Sequence, residues 1–163
     1  NYFACQGGGA TAECYASSDP GRKIFRNGMF FANSSIGFRN LRDGSSNTLM
    51  IGESRYMTTK TDTDGWVEGN RDKWHSWDSA SIRATSGGEW SMTIGLAATS
   101  LPINAYDTPN WPQMTSSFSS HHPGGCHMLL ADGSGHFLSE NMDLGIYRSL
   151  GPIDDGGPTG GFQ

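Results

Sequence analysis

The chain has 163 residues and a formal net charge of −5, and hydrophobic residues make up 35% of it. This length suits one domain that buries its own core. The 11 Lys and Arg residues do not cluster, which argues against a surface for nucleic acid or anionic membrane. No apolar run approaches the roughly 20 residues that a membrane span needs. We therefore expect one globular domain over residues 1–163 that binds no nucleic acid.

The composition also bears on the fold class. Glycine occupies 23 positions, and charged residues make up only 17% of the chain. Because glycine costs roughly 1 kcal/mol relative to alanine in a helix interior, many long helices are disfavoured. The predicted fold is α+β and mostly β, with short helices and long loops.

The chain begins at Asn1 and not at Met, so we expect that an upstream piece with any targeting segment was removed.

Two of the three cysteines lie near the start of the chain. Cys5 and Cys14 enclose a glycine-rich segment and could form a disulfide loop, which would fit an extracytoplasmic setting. The alternative is that they are free, or that one pairs upstream. Cys126 lies in a strand-like run and is expected to be a buried thiol.

Two apolar segments in the first third predict strands. Aromatic and apolar residues recur over residues 28–38, which favours a strand pair. Asp43, Gly44 and Asn47 belong to a turn or helix-cap cluster. The apolar run over residues 48–53 then predicts a short central strand.

Residues 58–90 are polar and hold four of the five tryptophans, which predicts a loop-rich insertion. Its tryptophans either pack as the insertion's own core, which is the commoner case, or form an exposed surface that stacks on a sugar or another small solute. Neighbouring acidic and amide groups would then bind hydroxyls. The four residues are Trp66, Trp74, Trp77 and Trp90.

The last third predicts a β-hairpin followed by a short helix. Asp132-Gly133 separates two strand-like runs, and Asp-Gly suits a two-residue type I′ turn because both central positions need φ > 0. This register pairs Met128 with Phe137 and places both on the core face. Residues 141–143 are expected to cap a helix that ends before residues 151–152.

Two stretches resemble a known bacterial family. Nine residues separate His122 from Asp132, and this segment resembles the H-X9-DG signature of a large prepilin-like family, a domain of unknown function also labelled a bacterial solute-binding family. Residues 30–53, with Asp-Gly-x-Ser-Asn-Thr and an apolar run ending in Gly-Glu, resemble the family's other shared stretch. The residues that carry the two motifs are His122, Pro123, Gly124, Gly125, Asp132, Gly133, Asp43, Gly44 and Asn47.

The resemblance implies a structural role outside the cytoplasm. Full-length members carry a prepilin-like leader and a long apolar N-terminal helix that anchors the precursor in the inner membrane. The implied fold is a pilin-like antiparallel sheet packed on that helix, which is missing here. The implied partners are copies of itself or other pilin-like subunits, at the cell surface, in a pilus-like assembly or in the periplasm. The membrane is reached only through the missing helix. The alternative function is a solute- or glycan-binding module that uses the tryptophan-rich insertion.

We favour a structural role for the segment from His122 to Gly133 over a chemical one. We expect His122 to hydrogen-bond to the Asp132-Gly133 turn and to stabilise the hairpin. Asp132, at the first turn position, is expected to bond to its own backbone.

A metal site is a further hypothesis. In the predicted register His127 and His136 are diagonal neighbours on one hairpin face, but their spacing matches no standard zinc pattern. Calcium is favoured over zinc, because pseudopilins that resemble this layout hold calcium in loops, and Asp62 and Asp64 offer oxygen ligands. No twelve-residue EF-hand pattern exists.

The sequence lacks the motifs of common catalysts. Gly133-Ser134-Gly135 lies in the predicted hairpin and not in the strand-to-helix turn of a nucleophile elbow. No glycine loop followed by Lys is present to bind phosphates. We therefore expect that the chain is not an enzyme.

Overall fold

The structure, a computed structural model, describes residues 2–11, 14–16, 19–31, 33–54, 96–105 and 117–156. Its strands are β1 (Tyr2–Cys5), β2 (Cys14–Ala16), β3 (Asp19–Ile24), β4 (Leu49–Glu53), β5 (Leu96–Ala97), β6 (Gly125–Leu130) and β7 (Gly135–Ser139). Two 3-10 helices span Phe38–Asn40 and Ser45–Asn47, and the helix α1 spans Leu144–Ser149. In this described part, no helix has the length and apolar character needed to cross a membrane.

The main layer is a five-stranded sheet with the order β5-β1-β4-β6-β7, and β2 and β3 form a separate pair. The predicted α+β, mostly β fold is confirmed, and β4 is the central strand as expected. The sheet is mixed and not purely antiparallel, because β5 runs parallel to β1. These two strands lie far apart in the chain, so no tight turn imposes an antiparallel direction on them.

One face of the sheet is buried. Phe118 from the segment before β6 and Tyr147 of α1 pack on it, and both are fully buried. Gly52 in β4 makes room for Phe118, because a side chain at this position would meet Met128 and the Phe118 ring. This core contains Phe3, Cys5, Leu49, Ala97, Ile103, Phe118, Cys126, Met128, Leu130, Leu138, Tyr147 and Leu150.

The opposite side of the sheet, here called the outer face, is partly apolar and accessible. The residues that strand pairing places on it include Tyr2, Ala4, Ile51, Glu53, His127, Leu129, Gly135 and Phe137. Tyr2 is 64% exposed and Phe137 is 47% exposed. The outer face therefore presents aromatic surface together with a carboxylate and an imidazole.

The predicted β6–β7 hairpin forms, but its register differs by one residue. Met128 pairs with His136 instead of Phe137. The Leu130 N–H donates to the Ser134 carbonyl, and Gly133 has a φ of +89°. The loop is therefore residues 131–133, a three-residue connection that a left-handed glycine favours.

The shift changes which side chains meet. Side chains alternate between the faces, so a one-residue slip reverses the face of every residue in a strand. Phe137 lies on the outer face opposite His127, and not in the core as predicted. His136 lies opposite Met128, so His127 and His136 are on different faces. The predicted metal pair of His127 and His136 is therefore wrong.

Two other local predictions have different outcomes. The described residues between 28 and 38 form no strand, and Met29, Phe30 and Ile36 pack instead with Leu41 and Ala131 in a separate small core. The C-terminal helix is confirmed. Its N-cap is Asp143, whose side chain accepts a 3.0 Å hydrogen bond from the Ile146 N–H.

The described cysteine side chains are buried. Cys5 is a free thiol whose Sγ donates to the Gly7 carbonyl at 3.6 Å, so of the two alternatives for Cys5 this structure has the free thiol and not the Cys5–Cys14 bridge. Cys5 lies on the buried face of β1 together with Phe3, and its thiol acts there as a small apolar group. Cys126 is also a free, buried thiol, as expected.

Candidate functional site

The candidate site is centred on Glu53, the last residue of β4. Its backbone carbonyl accepts a 2.9 Å hydrogen bond from the Ser119 N–H. Its carboxylate Oε2 accepts a 2.8 Å hydrogen bond from the His127 N–H on the neighbouring strand β6. The side chain is only 15% exposed. These bonds hold the carboxylate in one place on the outer face.

Two imidazoles face this carboxylate. His122 Nε2 lies 3.5 Å from Oε1 of Glu53, and His127 Nδ1 lies 3.4 Å from Oε2. The ligand atoms of the three residues all lie within 4.8 Å of one another. Both histidine side chains are about half exposed, so solvent reaches the group directly.

The rings also contact each other through their edges. The centroids of the His122 and His127 rings are 5.0 Å apart at an interplanar angle of 81°. The Phe137 ring lies 5.0 Å from the other side of His127, at 68°. His127 is therefore held between two rings, an arrangement that edge-to-face packing favours.

Ser120 joins the loop before β6 to the carboxylate. Its Oγ accepts a 3.1 Å hydrogen bond from the His122 N–H, and its hydroxyl is hydrogen-bonded to Glu53. Its own N–H donates to Oδ1 of Asn104 at 2.9 Å. Ser120 thus positions both His122 and the carboxylate.

The environment keeps Glu53 ionised. Partial burial raises the pKa of this carboxyl, but the hydrogen bonds from His127 and Ser120 and the nearby imidazoles of His122 and His127 outweigh it. The net effect is a lowered pKa. A carboxylate that accepts such hydrogen bonds is stabilised in its charged form.

The expected contact between His122 and the Asp132-Gly133 turn does not occur. His122 lies before β6, and the Asp132-Gly133 turn lies after it. The six residues of β6 therefore separate His122 from the turn. The turn is stabilised locally: Oδ1 of Asp132 accepts hydrogen bonds from the Ser134 N–H at 2.8 Å and the Ser134 hydroxyl at 2.6 Å. These bonds lower the pKa of Asp132.

The other shared stretch forms a second turn. The Asn47 side chain donates to the Asp43 carbonyl at 2.9 Å, and Gly44 has a φ of +94°. The Asp132 N–H donates to the Ser45 carbonyl at 3.1 Å, so the two Asp-Gly turns are in direct contact. Their role in this structure is to connect the ends of β4 and β6.

Several predicted site residues lie outside the described residues. These are Trp66, Trp74, Trp77, Trp90, Asp62, Asp64 and the side chain of Cys14. Glu53, in contrast, was not singled out as a site residue from the sequence. The available signal was the Gly-Glu pair that ends the stretch over residues 30–53.

The fold and this site define an α+β domain, mostly β, with a carboxylate–histidine cluster on the outer face of its sheet. Residues 4–145 match the model of the family SBP_bac_10, described as a protein of unknown function (DUF1559). The chain belongs to this family, which is the unknown-function and solute-binding domain that the two stretches resemble. No curated protein and no solved structure matches it.

Proposed function

We propose that the chain is the extracytoplasmic globular part of a structural subunit that assembles as a type IV pilin or pseudopilin does. The accessible apolar surface of the outer face carries this proposal. Tyr2 and Phe137 are 64% and 47% exposed, and Ile51 and Leu129 are only partly covered. Glu53 and His127 lie between Tyr2 and Phe137 in the sheet, and Ile51 and Leu129 occupy the neighbouring row. Exposed apolar surface of this kind supports contact with another protein element.

The location of the shared stretches supports the same proposal. The first ends in β4 and the second spans β6 and β7, so family-typical sequence supplies most of the outer face. In the prepilin-like resemblance, such a sheet packs on an N-terminal helix or on a neighbouring subunit. The net charge of −5 fits a protein partner better than nucleic acid.

Cysteine cross-linking in the bacterium that carries the complete gene tests the proposal. Phe137→Cys on the outer face should give disulfide-linked oligomers under mild oxidation, in a background where Cys14 is replaced by Ser. Ile146→Cys is the matched control, because Ile146 is 38% exposed but lies on α1, on the other side of the sheet. Equal cross-linking from both positions would count against assembly through the outer face.

Location is measured in the same cells. An extracytoplasmic subunit is digested when protease is added to spheroplasts, whereas a cytoplasmic protein is protected until lysis. Protection of the chain in intact spheroplasts would overturn the proposal.

A further inference from the structure

We infer that Glu53, His122 and His127 bind one divalent transition-metal ion, for which zinc is the best fit. The donors are a carboxylate oxygen, His122 Nε2 and His127 Nδ1. This inference does not depend on assembly, because the three residues belong to one chain and meet without a partner.

Each imidazole lies near the spacing that two zinc ligands have. Ligands about 2.0 Å from zinc lie about 3.3 Å from each other in a tetrahedral site. His122 Nε2 lies 3.5 Å from Oε1 of Glu53, and His127 Nδ1 lies 3.4 Å from the other oxygen, Oε2. One ligand atom from each residue lies within 4.8 Å of the other two. The three side chains are therefore close enough to bind one ion after small rotations.

The third distance, between the two imidazole nitrogens, is at most 4.8 Å. It needs to shorten by no more than about 1.5 Å to fit a zinc site. His122 can make this movement because its side chain is 54% exposed and projects from the loop before β6. Glu53 and His127, on paired strands, form the fixed side of the site.

The fixed side is oriented by neighbours, as metal ligands usually are. The His127 N–H and the Ser120 hydroxyl hold the Glu53 carboxylate. The Phe137 ring limits rotation of the His127 imidazole. Less conformational entropy is therefore lost when an ion binds.

The donor set selects the class of ion. Two imidazoles and one carboxylate suit zinc and similar transition metals, whereas calcium and magnesium prefer sites made only of oxygen. One ionised carboxylate leaves a net positive charge on a divalent ion. In the single chain the fourth position faces solvent, because both imidazoles are about half exposed, and water would occupy it there.

The direct test is calorimetric titration of the metal-free chain with Zn²⁺ at neutral pH. We expect one saturable site per chain in the wild type. His122→Ala, His127→Ala and Glu53→Gln should each weaken it by roughly 100-fold, and Ser120→Ala by roughly 10-fold. His121→Ala and His136→Ala are the matched controls, since neither residue belongs to the cluster. Both should leave the affinity unchanged.

Two further measurements separate loss of the site from loss of the fold. Circular dichroism should show that each variant is folded. Co²⁺ in place of Zn²⁺ should give the intense visible absorption of a tetrahedral ion in the wild type and the controls, but not in His127→Ala. Absence of saturable zinc binding by the folded wild type would overturn the inference. Unchanged zinc affinity in a His122→Ala/His127→Ala double variant would also overturn it.

Discussion

The His127 N–H donates a 2.8 Å hydrogen bond to the Glu53 carboxylate and not to a backbone carbonyl. The backbone register between β4 and β6 ends one pair earlier, at Gly52 and Met128. The carboxylate thus accepts the hydrogen bond of His127, the residue that precedes Met128 on β6. This single bond connects the two shared stretches of the sequence and turns the carboxylate toward the imidazoles of His122 and His127.

Gly52 should be intolerant of any side chain. In Gly52→Ala the new methyl would overlap Met128 Sδ and the Phe118 ring, so we expect a loss of about 1–3 kcal/mol in the free energy of unfolding. Urea denaturation measures the loss. Gly135→Ala is the control, because a Cβ there meets nothing within 4 Å, and its change should stay within about 0.5 kcal/mol. Similar losses in both variants would contradict the packing described for Gly52.

The three-residue hairpin loop depends on the conformation of Gly133. Its φ of +89° is unfavourable for residues with a side chain, so Gly133→Ala should cost about 1–2 kcal/mol in the free energy of unfolding. Gly133→Asn should cost less, since Asn tolerates positive φ better. Denaturation curves of the two variants measure the loss in free energy of unfolding for each. A neutral Gly133→Ala would mean that this loop conformation is not the one adopted in solution.

Asp43 should anchor the segment after α1. Its carboxylate accepts hydrogen bonds from the Asp155 N–H at 2.9 Å and the Gly156 N–H at 3.1 Å. Asp43→Ala should therefore lower the free energy of unfolding by about 1–2 kcal/mol. Asp154→Ala removes only an exposed ion pair with Arg42 and should cost less than about 1 kcal/mol. We expect faster amide hydrogen exchange at residues 155–156 than in the wild type only in Asp43→Ala.

The buried thiols should be unreactive in the folded protein. Burial raises the pKa of Cys5 to about 12, against an opposing effect of its hydrogen bond to Gly7. Burial, assisted by the negative charge of Glu53, raises the pKa of Cys126 to about 12. Because the thiolate is the reactive form, a thiol reagent at pH 8 should label both only after denaturant is added. Labelling of either thiol in the native protein would contradict its burial.

Because the pKa values of both thiols are raised, we expect the protein to lose stability at alkaline pH. The folded state holds their protons more tightly than the unfolded state, where the pKa is near its ordinary value of 9.0. The resulting stabilisation is fully present below pH 9 and is lost as the pH rises toward 12. The urea midpoint should therefore fall over this interval, and less steeply in Cys126→Ala. Parallel pH profiles for the wild type and the variant would contradict this account.

Local features of this protein could be read from the sequence. The strand that ends in Gly52-Glu53, the hairpin at Asp132-Gly133 and the cap at Asp143 each depend on residues a few positions apart. The mostly β fold follows from a glycine-rich, weakly charged composition. The resemblance to a family of unknown function was also visible in the sequence, and the match over residues 4–145 shows that family.

Only the tertiary structure decided which side chains meet. Asp-Gly suits hairpin loops of two or three residues, so the turn alone did not determine the register. The observed register differs from the predicted one by one residue, which places Phe137 and His136 on the faces opposite to those predicted. The cluster of Glu53, His122 and His127 requires β4 to pair with β6, and its central bond joins residues 74 positions apart. Contacts at that distance come from burial of a whole sheet face, which no local sequence pattern specifies.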